Sequence, residues 1–266
     1  MVIAVSFLSK ALVLWLCLSV SIFAQNDVTD EKAEAVIRKA VENLGGEKYL
    51  QVKTLVGQGK FSIIRDGVNI SFQSFVDVIV FPDKERTEFK SGGVKIVQTN
   101  YGNEGWIYDG AANTINLQTE SQIKDFKRGM KTSLDNLLRG YWRGKASLNY
   151  IGRREGTLGR RNDVIRLTYN DGFQVEFEFT SEGLPVKAIY KRINSDGEEV
   201  REEDRYAQFV DVGGVKAPFI IDRFSNGMQS SRVNYTSVEY NKQIPDAIFV
   251  KPNNPKELKR DLKFQD

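Results

Sequence analysis

From Val52 onward the chain is built from stretches in which apolar and polar residues alternate, each closed by a turn signal. Asp66-Gly67, Gly92-Gly93, Asp171-Gly172, Glu182-Gly183, Asp196-Gly197, Gly213-Gly214 and Asn226-Gly227 are such signals. A period of two sends successive side chains to opposite faces of a strand, and tight turns of this kind join antiparallel neighbours. Residues 171–186, "DGFQVEFEFTSEGLPV", show it most clearly. Phe173, Val175, Phe177 and Phe179 share one face, and Gln174, Glu176, Glu178 and Thr180 share the other.

In the first half, "TLVGQGKFSII" and "VNISFQSFVDVIVF" flank Asp66-Gly67 as a hairpin, Pro82 ends the second strand, and "RTEFK", "VKIVQTN" and "EGWIYD" follow. After Gly144, strands are expected at 147–152, 163–170, 173–180, 185–193, 200–212, 215–224 and 229–241. Sequential hairpins make an antiparallel meander.

Two segments have the helical period instead. Residues 29–44 carry Ala33, Ile37, Ala40, Val41 and Leu44 on one stripe, with Thr29 or Asp30 as cap and Gly45-Gly46 as stop. "TESQIKDFKRGMKTSLDNLLRGYW" reads as one helix on the spacing of Ile123, Phe126, Met130 and Leu134, with Thr119 and Gln122 as a capping box. A sheet this large cannot stay flat. The expected fold is therefore mainly β (α+β): a large curved antiparallel sheet forming a half-open barrel, covered by the N-terminal helix and the inserted lid helix.

Residues 1–24 combine Lys10, the apolar run "ALVLWLCLSVSIFA" and a small residue, Ala24, which is the pattern of a cleaved secretory signal peptide. Leu16 before Cys17 is too large for a lipidation site. The expected organisation is a leader at 1–24, one domain at 25–250 and a basic, loosely held tail at 251–266. No later stretch is long and apolar enough to form a membrane-spanning helix. The chain has no histidine, and its one cysteine lies in the leader. Ser-His-Asp and Cys-His catalysis and His/Cys zinc sites are thereby excluded, and no cofactor is expected. With 38 Lys+Arg against 35 Asp+Glu the charge balance points to no nucleic-acid partner.

The helix ending in "NLGGEKYLQVKTLVGQGKF", then "FPDKERTEF", "VQTNYGNEGWIYD", "FVDVGGVKAPFIIDRFSNG" and "VEYNKQIPDAIFVKP", taken in this order, resemble the LolA-like outer-membrane lipoprotein-sorting superfamily. The resemblance spans nearly all of the chain after the leader. It implies a periplasmic half-barrel with a hydrophobic cavity between sheet and helices. It also implies a non-catalytic carrier of lipid or lipoprotein acyl chains. The β region after the inserted helix is longer than in the compact lipoprotein chaperones, and the superfamily's ligand-contacting arginine has no assignable counterpart.

On this reading the cavity is expected to be lined by Phe61, Ile63, Phe72, Val76, Trp106, Phe173, Val175, Phe177 and Phe179. The lid would use Ile37, Ile123, Phe126, Met130 and Leu134. Each of these positions has packed core as its alternative, and Phe173 to Phe179 could meet either a void or the helices. Glu176 and Glu178 are expected to face solvent.

The other function class is a sensory or protein-binding module of the envelope, touching membrane proteins through Trp106, Tyr141 and Trp142, with "GYWRG" as a mobile tip. Carboxylate pairs such as Glu176 and Glu178, or Glu202, Glu203 and Asp204, read as sheet surface and not as a catalytic pair. Arg153-Arg154 and Arg160-Arg161 are either head-group contacts or exposed turn charges. A monomer is expected.

Overall fold

The computed structural model describes residues 30–157, 159–259 and 262. The leader at 1–24 and its cleavage point lie outside the described residues. Two helices open the described chain, α1 (Glu31–Leu44) and α2 (Glu47–Leu50). The first β series is β1 (Thr54–Arg65), β2 (Val68–Val80), β3 (Lys84–Ser91), β4 (Val94–Tyr101), β5 (Glu104–Asp109) and β6 (Thr114–Leu117). The helical insert holds α3 (Glu120–Thr132) and α4 (Leu134–Leu138). The second series is β7 (Ala146–Glu155), β8 (Arg161–Tyr169), β9 (Gln174–Phe179), β10 (Pro185–Ile193), β11 (Glu199–Val212), β12 (Val215–Ser225) and β13 (Met228–Tyr240).

The strands form one 13-stranded sheet in the order β6-β5-β4-β3-β2-β1-β13-β12-β11-β10-β9-β8-β7. Each series is a meander, and the two are joined where the first and last strands pair, from Leu55↔Tyr240 to Ile63↔Ser231. β6 and β7 are then the two free edges, and the sheet is a half-open barrel. The segment that links those edges in sequence is the one carrying α3 and α4, so the helices cross the open side. Register shifts at Gln58/Gly59, Arg223/Phe224 and Tyr150/Gly152 are the bulges that help a sheet to curl.

Asp30 caps α1, its carboxylate accepting from Lys32 N and Ala33 N. The helix stops at Gly45, whose φ of 130° suits glycine alone. A side chain there would also strike the Gly214 carbonyl in the β11–β12 turn. α1 buries Ala33, Ile37, Ala40 and Leu44 in the main core, together with Leu137, Leu138 and Trp142 of the insert. On the sheet this core rests on Leu148, Ile165, Leu167, Val175, Phe177 and Phe179.

The insert differs from the single helix that the spacing predicts. It breaks at Ser133, whose hydroxyl accepts from Asn136 N and caps α4. The Thr119–Gln122 capping box at the start of α3 is present.

The C-terminal segment is packed and not loosely held as far as Leu258, which is buried with Val97, Trp106 and Tyr108 on the outer face of the sheet. Phe249 fills a neighbouring cluster with Val56 and Val78. Beneath it, Glu88 bridges Arg86 (2.6 Å) and Lys95 (2.9 Å), and Arg86 Nη1 donates to the Ile248 carbonyl.

Candidate functional site

The inner face of the sheet, the side covered by helices, is filled unevenly. Over β7–β10 it is packed solid by α1 and α4. Over β1–β4 and β11–β13 it is roofed by α3, which buries only Thr132 and leaves Phe126 and Met130 half-buried. Between that helix and the sheet lies a cavity of about 630 Å³. Its apolar wall includes Leu55, Ile79, Phe126, Met130, Leu134 and Val238. A side chamber of about 240 Å³, lined by Phe61, Phe75, Phe89 and Val233, shares Phe126, Ile221, Arg223 and Tyr235 with it. The larger cavity is in the range of ordinary small-molecule sites, about 300–1,000 Å³, and the side chamber adds to it.

The floor is polar. Asp77 and Glu85 are neighbours across β2 and β3, and the Thr87 hydroxyl lies 2.8 Å from Asp77 Oδ1 and 3.4 Å from Glu85 Oε1. Burial pushes the Asp77 carboxyl well above the usual carboxylate range, and the Glu85 charge adds to it. Burial also raises Glu85 and, across the cavity, Asp204. Arg223 is the cation facing these groups, 3.7 Å from Asp204 Oδ1. Tyr190, Tyr206 and Tyr235 complete this wall, and burial pushes the Tyr190 hydroxyl up to about 12. Such a lining suits an amphiphile: a greasy roof and sides, with hydrogen-bonding groups below.

Both ends of the roof are fixed. Tyr169 OH and Asn136 Nδ2 donate to the Lys131 carbonyl at 2.9 and 3.1 Å, which ties down the C-terminal turn of α3. Beside it, Arg139 pairs with Asp135 at 2.8 Å and stacks 4.4 Å from both the Tyr49 and Phe81 rings. At the other end Gln118, the residue before the Thr119 cap, donates from its backbone N–H to the Gly105 carbonyl at 2.9 Å and from its side-chain amide to the Thr99 carbonyl and Asn100 Oδ1 at 3.2 and 3.1 Å. Between these two ends the described residues show no hydrogen bond from α3 to the sheet. Nor do they hold a cluster of three or more carboxylates or cysteines arranged for a metal ion.

The sequence matches no protein-family model and no curated protein. Solved structures match along most of its length. A DUF1329 family protein from Desulfovibrio piger aligns with TM-score 0.58 at 15% identity, over 82% of this chain and 97% of that one. An outer membrane lipoprotein-sorting protein domain from Vibrio parahaemolyticus gives 0.55 at 12%, over 86% and 100%. A LolA superfamily protein from Nitrosomonas europaea gives 0.55 at 16%, over 82% and 97%. The chain shares the fold of the LolA superfamily.

Within this LolA fold the residues expected from sequence separate into three groups. Phe61, Phe126, Met130 and Leu134 line the cavity or its side chamber. Val175, Phe177 and Phe179 face the helices but line no cavity: they are fully enclosed in the main core, and Ile37 is buried there too. Phe173 packs at the edge of that core against Tyr169 and Tyr190. Ile63 and Ile123 are half-buried and lie outside both lining sets.

Trp106, Val76 and Phe72 lie on the outer face. Register decides this: Trp106 stands opposite Thr99, Val76 next to Asp77, and Phe72 opposite Ser62, all one residue out of phase with the cavity wall. Trp106 Nε1 donates to the Phe249 carbonyl at 2.9 Å, under the C-terminal segment.

The outer face of β9 also departs from expectation. Glu178 is only 1% exposed, held by Arg154 and Lys187 at 3.1 and 3.6 Å. Burial works against the Glu176 carboxylate, but bonds from Arg166 and Arg154 outweigh it and keep its pKa below the usual value. Arg153 pairs with Asp163.

The polar residues are the ones that sequence reasoning misses: Asp77, Glu85 and Arg223 carry no expectation, and Asp204, expected at the sheet surface with Glu202 and Glu203, lines the cavity instead, while Glu203 is buried. Asp77 and Arg223 sit among inward apolar residues of β2 and β12, such as Phe75, Ile79 and Ile221, while Glu85 and Asp204 sit inward on the more polar β3 and β11. A charge in phase with the apolar face is the signal that the face is not solid core.

Proposed function

We propose that this chain is a non-catalytic periplasmic carrier that encloses acyl chains of lipids or lipoproteins beneath α3, for transfer toward the outer membrane. The observation that carries this reading is the cavity of about 630 Å³ roofed by a half-buried helix that is tied to the sheet at its ends and leaves hollow space beneath its middle. Burying one methylene is worth about 0.8 kcal/mol, so about ten of them supply on the order of 8 kcal/mol before ordering costs. The lipoprotein-sorting domain of matching fold supports the reading, and the signal-like residues 1–24 support export. Absence of histidine agrees with a role that needs no proton shuttle.

The aromatics expected to serve the protein-binding alternative are not a free surface: Trp106 and Trp142 are 3% and 0% exposed, and Tyr141 lines the cavity. Trp142 Nε1 donates to the Leu137 carbonyl at 3.0 Å, so "GYWRG" is no free hydrophobic tip. Solvent extraction of the protein purified from its native envelope, followed by mass spectrometry, tests the proposal. A near-stoichiometric acyl lipid or lipoprotein fragment is expected. An extract free of lipid, together with failure of the stripped protein to take up any fatty acid, would reject it.

A further inference from the structure

The β1–β2 hairpin stands clear of its neighbours. Pairing of β2 with β3 begins only at Ser74↔Lys90, and pairing of β1 with β13 ends at Ile63↔Ser231. The unpaired edge Val68–Gln73 is therefore about 20 Å long at 3.3 Å per residue. Asp66 and Gly67, with φ of 51° and 75°, form its tip.

Three apolar side chains in this segment face water: Val68 at 62%, Ile70 at 50% and Phe72 at 60% exposure. Lys60 and Arg65 flank them, with Lys60 Nζ 5.6 Å from the Phe72 ring, and Asp66 is the only acid between residues 60 and 76. An exposed hydrophobic edge of this kind is a liability unless something covers it.

We propose that this hairpin docks on an anionic lipid bilayer, its apolar side chains entering the acyl boundary and Lys60 and Arg65 meeting the head groups. Apolar side chains rimmed by cations are the combination that binds an anionic membrane surface, at an insertion depth of about 5–10 Å. A second copy fits less well. A twofold contact of the tips would bring the Lys60 and Arg65 cations of both copies into one small patch, and three apolar side chains fall short of the roughly 20–30 residues a side of a stable interface.

The position relative to the cavity gives docking a use. Phe61 lines the side chamber, and Ile63 is the next residue on the same face of β1 toward the tip. A bilayer at the hairpin would thus lie against the end of the chamber through which an acyl chain can pass. That route rests on the carrier reading, whereas docking itself does not.

The test is co-sedimentation of the full-length mature protein with vesicles of phosphatidylcholine containing a quarter phosphatidylglycerol. The wild type should sediment with these vesicles and much less with pure phosphatidylcholine. The triple variant Val68→Ser, Ile70→Ser, Phe72→Ser should lose at least tenfold in binding, and Arg65→Glu several-fold, with melting temperatures close to wild type. Both should still bind a fluorescent fatty acid added in solution. Absence of wild-type sedimentation, or equal sedimentation of the triple variant, would overturn the proposal. So would a micromolar dimer in analytical ultracentrifugation that the same triple substitution dissolves. Vesicle binding without any fatty-acid binding would leave docking standing and remove the carrier function instead.

Discussion

Asp77 lies beneath the cavity with its carboxyl pushed well above the usual carboxylate range, first by burial and then by the charge of Glu85, against the Thr87 hydrogen bond and the Arg223 charge. A folded-state pKa above the unfolded value means that the native protein keeps a proton which the unfolded chain releases near about pH 4. The associated stability is complete below that pH and is lost as pH rises toward the folded-state value. Asp77→Asn keeps an acceptor for Thr87 and removes the charge. Its melting temperature should therefore match wild type near pH 4 and exceed it at pH 8; an unchanged difference at the two pH values would contradict the assignment.

Phe177 makes a second residue-scale case. It is fully enclosed between α1, α4 and the sheet. Phe177→Ala should cost about 3–5 kcal/mol in chemical denaturation and leave fatty-acid affinity unchanged. A small stability loss with altered affinity would place it on the ligand's path instead. The alternation of residues 173–180 reveals the face of each side chain but not what stands opposite. Only the placement of α1 and α4 makes that face core.

Among the elements, α1 and α3 look alike in sequence, both amphipathic and both properly capped, yet they do different work. α1 buries four apolar or small side chains and ends against the β11–β12 turn, whereas α3 buries only Thr132. Phe126 and Met130 of α3 face the cavity, and the helix is fixed at its ends, before Thr119 and at Lys131, with no packed core beneath its middle. Phe126→Asp should therefore leave stability within about 1 kcal/mol, the modest effect typical of a site outside the packed core, while lowering fatty-acid affinity at least tenfold. Denaturation and fluorescence titration on the same preparation separate the two effects, and a large loss of stability would make α3 a core helix.

The strands of both meanders, the capping box and the α1 boundaries are legible from period and turn chemistry. The break at Ser133 is not, because the spacing of Phe126, Met130 and Leu134 continues through it while a serine cap competes locally. The outward placement of Trp106 is equally hidden, since it depends on register and on where residues 244–258 return.

At the scale of the whole molecule, one topological fact organises the rest. The first and last strands pair, the two edges are left free, and the helices that span those edges close the open side incompletely. The packed half over β7–β10 holds the fold, and the hollow half beneath α3 holds space. The most direct test of that division is titration of a fluorescent fatty acid into delipidated wild type and into Ile221→Trp, which fills the region shared by the two chambers. Saturable uptake near one equivalent by wild type, with at least a tenfold weaker affinity in the folded Ile221→Trp variant, is the predicted result. Equal binding by both proteins, or no saturable binding by wild type, would contradict it.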